Sequence, residues 1–184
     1  MRTLTLPFYR ALFEELDPVR LQSLFLQTLL KTQNVERGSI WIRQGGRFVC
    51  VEAAGLQSDA VRGRVLSSEH PSVVRWVFDH AQQTIVQAGH DRRHFQELEH
   101  LLDVKSRLIL GFPLLLADGS VYGVVELIDT SAGGDRLNLD SDYLELLHSL
   151  VDIGAIALSH ALSFSEQAAE NRRLRCQLEG ARAR

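Results

Sequence analysis

The chain has 184 residues, 45% of them hydrophobic and 23% charged, with a formal net charge of -3 at pH 7. That length suits one domain with a long appendage better than two domains, and the charge balance gives no reason to expect contact with nucleic acid or an anionic membrane surface. Two cysteines far apart in sequence, Cys50 and Cys176, argue against both a disulfide framework and a structural zinc site.

At the N-terminus Glu14, Glu15 and Asp17 arrive early and no apolar core follows Arg2, so a signal peptide is not expected. No run approaches about 18 uninterrupted apolar residues, the length that suggests a membrane span. The expectation is a soluble cytoplasmic protein without a membrane partner. A short helix is predicted over residues 8–15. Asp17 as cap and Pro18 at the first helical position start a second, over 18–32, with Leu21, Leu24, Phe25 and Leu29 near helical spacing.

The period then changes. In GSIWIRQGGRFVCVEAAG, Ile40 and Ile42 alternate with Trp41 and Arg43, and Gly45-Gly46 supplies the turn of a β-hairpin. Residues 56–64 are polar and glycine-punctuated and are expected to form a loop. Ser68 or Glu69, ahead of His70-Pro71, is expected to begin a helix with the stripe Val73, Val74, Val77, Phe78. TIVQA is a short strand, and DRRHFQELEHLLDV has Phe95, Leu98, Leu101 and Leu102 at helical offsets. A second hairpin, RLILGFPLLLADGSVYGVVELID, turns at ADGS. A long helix is predicted from Asp140 to about Leu178, with Gly154 as its interior breaker. Its Leu144, Leu147, Val151, Ala155, Leu158 and Leu162 repeat at threes and fours. The stripe thins beyond Phe164, which divides the chain into a domain over 1–162 and a helical linker over 163–184.

This order predicts an α+β domain with a central antiparallel sheet. The N- and C-terminal helices bury their stripes together on one face, and the middle helices and loops form a pocket on the other. On the last strand, alternation groups Val124, Glu126 and Ile128 on one side and Val125, Leu127 and Asp129 on the other. With Val125 and Leu127 toward the terminal helices, Glu126 faces the pocket, where an unpaired carboxylate is costly. It needs a partner, and Arg107 and Arg75 are the candidates, either in a structural ion pair or around a ligand. Glu126, Val124, Arg75, Trp76, His80 and Arg107 are the candidate ligand-binding residues.

The segment HDRRHFQELEH places His90, His94 and His100 among Asp91, Glu97 and Glu99. It reads as a solvated helix start, since Arg92 and Arg93 oppose a cation, with a metal or anion site as the alternative that His90 and His94, four apart, leave open. Cys50 alternates with Val49 and Val51 as a small buried residue. No Ser/His/Asp arrangement or catalytic carboxylate pair stands out, so no enzymatic activity is expected.

The chain resembles a GAF domain, the small-molecule sensor module of signalling proteins, from about Leu21 to Leu162. GFPLLLADGSVYGVVELID is similar to the family's late hairpin, with Pro113 on its proline, Gly123 on its glycine and Val124-Val125-Glu126-Leu127 on its final strand. The resemblance implies a GAF/PAS-like fold and a regulatory domain that binds an unidentified small molecule; it names no cofactor. It also implies a homodimer joined through the terminal helices. The tail ENRRLRCQLEG resembles the helical linker to an output domain such as an AAA+ activator, a histidine kinase or a diguanylate cyclase, which points to transcriptional regulation or two-component-like signalling. Alternatives are a ligand-free dimerisation module and a cysteine-dependent redox enzyme. The chain departs from the specialised members of the family. It has no Asn-Lys pair for a cyclic-nucleotide NKFDE motif, no Cys-His pair for a bilin, and one cysteine in the domain core where sulfoxide reductases use several.

Overall fold

The computed structural model describes residues 6–67, 69, 71–93, 105–130 and 137–182, with side chains described from residue 10 to residue 179. Helices α1 (Leu6–Glu14) and α2 (Pro18–Gln33) precede strands β1 (Arg37–Gln44) and β2 (Arg47–Ala54). A single-turn helix α3 (Ser58–Val61), strand β3 (Val65–Ser67), helix α4 (Val73–His80) and strand β4 (Thr84–Gln87) follow. Strands β5 (Ser106–Leu115) and β6 (Val121–Thr130) lead to the long helix α5 (Ser141–Arg182). The six strands form one antiparallel sheet in the order β3-β2-β1-β6-β5-β4, which is the α+β architecture the sequence predicts.

Asp17 caps α2 as expected. Its Oδ1 accepts from the Val19 and Arg20 amides at 2.9 and 3.3 Å, filling two of the donors a helix start leaves open. Asn34 closes the helix in the left-handed region, φ 55°, with its N–H directed to the Leu30 and Lys31 carbonyls. The first hairpin turns on Gly45 and Gly46, both at positive φ. At the ADGS turn, Asp118 Oδ1 accepts from the Ser120 amide at 2.9 Å and from its hydroxyl at 2.6 Å.

Two expectations are corrected. Helix α4 is capped by Ser72, whose Oγ accepts the Arg75 amide at 3.0 Å, not by Ser68 or Glu69; with Pro71 ahead of it, the first free hydroxyl after the proline takes the capping position. The predicted loop over 56–64 contains α3 and is followed by β3, an edge strand on β2. With three residues each way in that pairing, the strand is too short for alternation to be seen in sequence.

The sheet separates two cores. One joins α1, α2 and α5 to the sheet through Leu21, Phe25, Leu29, Phe112, Val125 and Leu127, all 1% exposed or less. The other lies under α4, where Val73, Val74 and Val77 meet Trp41, Phe48, Cys50 and Val124. Val125 and Leu127 thus face the terminal helices and Val124 the opposite side, as alternation predicts. The predicted helical stripe of α5 is spent inside the chain: Leu147, Val151, Ala155 and Leu158 are fully buried. By length and composition Ser141–Glu179 would pass for a membrane span, yet that apolar stripe already packs on the core.

Gly154 is the point where α2 meets α5. A Cβ there would come within 2.1 Å of the Phe25 ring, so the apparent helix breaker is the notch that admits an aromatic side chain. Tyr122 Oη donates to the Ala155 carbonyl at 2.8 Å, and Gln33 exchanges hydrogen bonds with the Asn138 backbone at 3.0 and 3.3 Å. These contacts fasten α5 to strand β6, and the segment that leads into α5 to the end of α2.

Candidate functional site

Strand β1 lies between β2 and β6, with Ser39 directly opposite Glu126 and Trp41 opposite Val124. Because Arg37, Ser39 and Trp41 are two apart, all three share the face of Glu126. The Glu126 side chain is buried, and its Oε2 accepts from Ser39 Oγ at 3.1 Å and from Trp41 Nε1 at 3.0 Å. Trp41 Nε1 also lies 2.8 Å from Ser39 Oγ. Burial is the dominant influence on this carboxyl and pushes its pKa up to about 7; the Ser39 and Trp41 hydrogen bonds and the positive charge of Arg37 pull the other way. Glu126 therefore exchanges a proton near neutrality inside the fold.

A cavity of about 40 Å³ opens beside this group, lined on the sheet by Arg37, Ser39, Trp41 and Glu126 and roofed by Leu56, Ser58 and Val61 from the α3 segment. That is room for a water or two, far below the 300 Å³ or more of an ordinary metabolite pocket. The roof is latched. Arg62, directly after α3, donates from Nη2 to Glu52 Oε1 at 2.7 Å and to the Ala53 carbonyl at 2.9 Å, and its Nη1 reaches Asp59 at 3.0 Å. Glu52 is buried beyond an irregularity in the β1–β2 pairing and also accepts the Ala53 amide at 2.8 Å. A bulge there re-aims a side chain that regular alternation would have placed otherwise.

Of the six residues the sequence nominates, Glu126 alone lines this cavity. Val124 is buried in the core beneath α4. Arg107 pairs with the buried Asp129 at 2.5 Å, and Arg75 pairs with Asp79 at 3.2 Å while donating to the Glu69 carbonyl at 2.8 Å. The expectation that Arg107 or Arg75 partners Glu126 is therefore corrected: each arginine has a carboxylate closer at hand in its own register. Trp76 stacks on His80 with ring centroids 4.3 Å apart, and the Arg93 guanidinium lies 4.8 Å from the Trp76 ring centre. His80 Nδ1 is 2.8 Å from the Trp76 carbonyl, which places the imidazole in the last turn of α4, as the sequence implies.

Sequence reasoning missed Ser39, Arg37, Glu52 and Arg62. The signal for the first two was present: polar side chains at alternate positions of a strand whose other face is Ile40 and Ile42. Cys50 is buried with its thiol pushed up to about 12, chiefly by burial and then by the charges of Glu126 and Glu52. A thiol so placed is a poor nucleophile. Among the described residues no group of three or more His, Cys, Asp or Glu is placed to hold a metal; His94, Glu97, Glu99 and His100 lie outside the described residues, as does the second middle helix.

The family model for the GAF domain matches residues 17–158. Over 108 residues the chain is 29% identical to the dual 3',5'-cyclic-AMP and -GMP phosphodiesterase 11A of Takifugu rubripes, a match covering 58% of this chain and 12% of that protein. The chain thus spans about an eighth of the length of this relative. Among solved structures, the GAF domain of a phosphoenolpyruvate-protein phosphotransferase from Coxiella burnetii superposes with a TM-score of 0.68 at 15% identity, covering 88% of this chain and 96% of that one. A free methionine-R-sulfoxide reductase from Neisseria meningitidis, solved with its substrate, gives 0.62 at 13% identity over 85% of this chain and 86% of that one. At these identities the structural likenesses speak for the fold.

Proposed function

The chain belongs to the GAF domain family, small-molecule-binding regulatory modules, and on that premise we propose that it is a non-catalytic sensor whose ligand binds beside Glu126 under the α3 roof. The observation that carries this reading is a buried carboxyl near its own pKa, ringed by Ser39, Trp41 and Arg37 and opening on a cavity. A ligand larger than water enters only if the roof lifts, and lifting it exchanges the Arg62–Glu52 pair for contacts with the ligand. Strand β6 couples the two sides, because Glu126 stands between Val125 and Leu127, which pack against the terminal-helix layer. For such coupling to signal, the ligand must bind one arrangement of that layer better than the other.

In this reading two cytoplasmic copies associate through their terminal helices, and α5 carries the bias to an output domain such as an AAA+ activator, a kinase or a cyclase. Transcriptional regulation is the process this layout serves. The buried, protonated thiol of Cys50 speaks against the redox-enzyme alternative. One observation favours a second reading, a ligand-free dimerisation module: the cavity is small and Glu126 is already hydrogen-bonded within the fold.

Thermal unfolding with a metabolite panel that includes cyclic AMP and cyclic GMP, paired with native mass spectrometry, separates the two. A ligand at about 100 times its Kd stabilises by about 2.7 kcal/mol, or about 5–10 °C in a domain of this size. The sensor reading expects such a shift for wild type and its loss in Glu126→Ala. A bare protein with no shift from any compound selects the second reading.

A further inference from the structure

A second hollow lies near the β4 edge of the sheet and shares no residue with the cavity beside Glu126. It is an open groove of about 630 Å³ between the turn that follows α4, residues Ala81, Gln82 and Gln83, and the first two turns of α5, residues Ser141, Leu144, Glu145 and His148. That is within the roughly 300–1,000 Å³ of sites that hold small molecules. Local structure fixes both walls. Ala81 ends α4 in the left-handed region, φ 51°, so the chain leaves the helix there, and Gln82 and Gln83 form one wall before β4 begins at Thr84. On α5, offsets of three, four and seven from Ser141 put Leu144, Glu145 and His148 on one face, and Asp152 continues it one turn on. His148 packs near the core ring of Phe112, with centroids 6.1 Å apart. His148 Nδ1 and Asp152 Oδ1 are closed to solvent without a hydrogen-bond partner, and Nε2 and Oδ2 of the same pair stand 3.6 Å apart, beyond hydrogen-bond reach. Buried polar atoms in that condition are uncommon in a folded chain, so this face of α5 holds unused hydrogen-bonding capacity beside the groove.

We propose that the groove is a binding site for a small organic amine, its ammonium group held by Glu145 and the side-chain oxygens of Gln82, Gln83 and Ser141, and its apolar body resting on Leu144 and Ala81. Charge selects a cation over an anion. Glu145 brings a carboxylate, and no lining residue is a lysine or arginine. The positive end of the helix dipole acts only within the first turn, where Asp142 offsets it. An ammonium group has three N–H donors and no acceptor, which matches a wall of one carboxylate, two amide carbonyls and a hydroxyl. A bound amine joins the end of α4 to the start of α5 and so reaches the long helix without passing through β6. This input is separate from the ligand proposed beside Glu126 and does not depend on it.

The test uses the full chain and three probes that share a phenyl body: phenethylamine, phenethyl alcohol and phenylacetate. Binding is followed by NMR of isotope-labelled protein, which reads the glutamine side-chain amides directly. The expected result is that phenethylamine shifts the Gln82 and Gln83 side chains and the backbone amides of residues 141–148, and phenylacetate shifts none of them. The amine should bind about tenfold more tightly than the alcohol, the difference between a charged and a neutral hydrogen bond. Glu145 is exposed, so Glu145→Gln should keep the melting transition and lower the affinity for the amine about tenfold, to that of the alcohol. Equal affinity of wild type for amine and alcohol overturns the proposal, as does tighter binding of phenylacetate or an unchanged affinity in Glu145→Gln. Shifts confined to residues around Glu126 place the amine in the other cavity and overturn it, and so does the absence of any shift.

Discussion

The two faces of the sheet are built by opposite rules. On the terminal-helix face Phe25, Leu29, Val125, Leu127, Leu147, Val151 and Leu158 interlock with almost no exposure. On the α3 and α4 face the apolar patch is smaller and shares its sheet with Arg37, Ser39, Glu52 and Glu126, all buried. The first face maximises apolar area removed from water, the chief source of stability. The second gives up part of that gain to keep polar groups dry, each requiring a partner to offset its desolvation. Tolerance and responsiveness thus lie on different faces: the first holds the domain together, and the second carries the buried carboxyl whose pKa is raised and, in the proposed function, the ligand.

The harshest way to break this contrast is Leu158→Glu. A carboxylate in the fully buried helix core is expected to abolish the cooperative unfolding transition, seen by circular dichroism, rather than merely to separate two copies. A folded monomer would show that this face is not the stability core.

Next in size is the pH response of Glu126. Its folded pKa of about 7 lies above the ordinary 4.5, so the native state holds this proton more tightly than the unfolded chain. The resulting stabilisation is complete below about pH 4.5, falls as pH rises toward 7 and is gone above it. At 1.36 kcal/mol per unit it amounts to about 3 kcal/mol. Urea titrations from pH 5 to 8 should show wild type losing stability relative to Glu126→Gln by that order. Parallel profiles would place the carboxyl in a far more solvated setting.

The smallest effect expected is that of Arg62→Ala. Its guanidinium is partly exposed, so solvent screening keeps the pair weak, and about 1 kcal/mol of global stability is at stake. Hydrogen exchange should nevertheless rise selectively at residues 56–64, because the roof loses its latch while the helix face is untouched. Uniform exchange across the domain would dissolve the distinction between a local roof and the global fold.

Much of this organisation was legible in the sequence because it is periodic. The strand alternation that set Glu126 against Val125 and Leu127, the Asp17 cap and the glycine turns are local signals that read directly into geometry. The partner of Glu126 was not, because Ser39 is 87 positions away and becomes its neighbour only through the register of β1 on β6. The nearest cations in sequence logic, Arg75 and Arg107, were satisfied by Asp79 and Asp129 instead. Charge complementarity alone cannot say which carboxylate an arginine will choose. The α5 stripe shows the converse. Its heptad-like spacing was read correctly as a packing surface, but spacing does not state whether the partner is another chain or the helix's own domain, and here it is the domain.

The notch at Gly154 has a mechanical meaning. With the Phe25 ring seated where a Cβ would be, α5 cannot turn far about its own axis without driving that ring into Ile153 or Ala155, which flank the glycine. The long helix is therefore keyed in one rotational setting, and the direction in which each face of its far end points, roughly forty ångströms away (28 residues at 1.5 Å each), is set at this glycine.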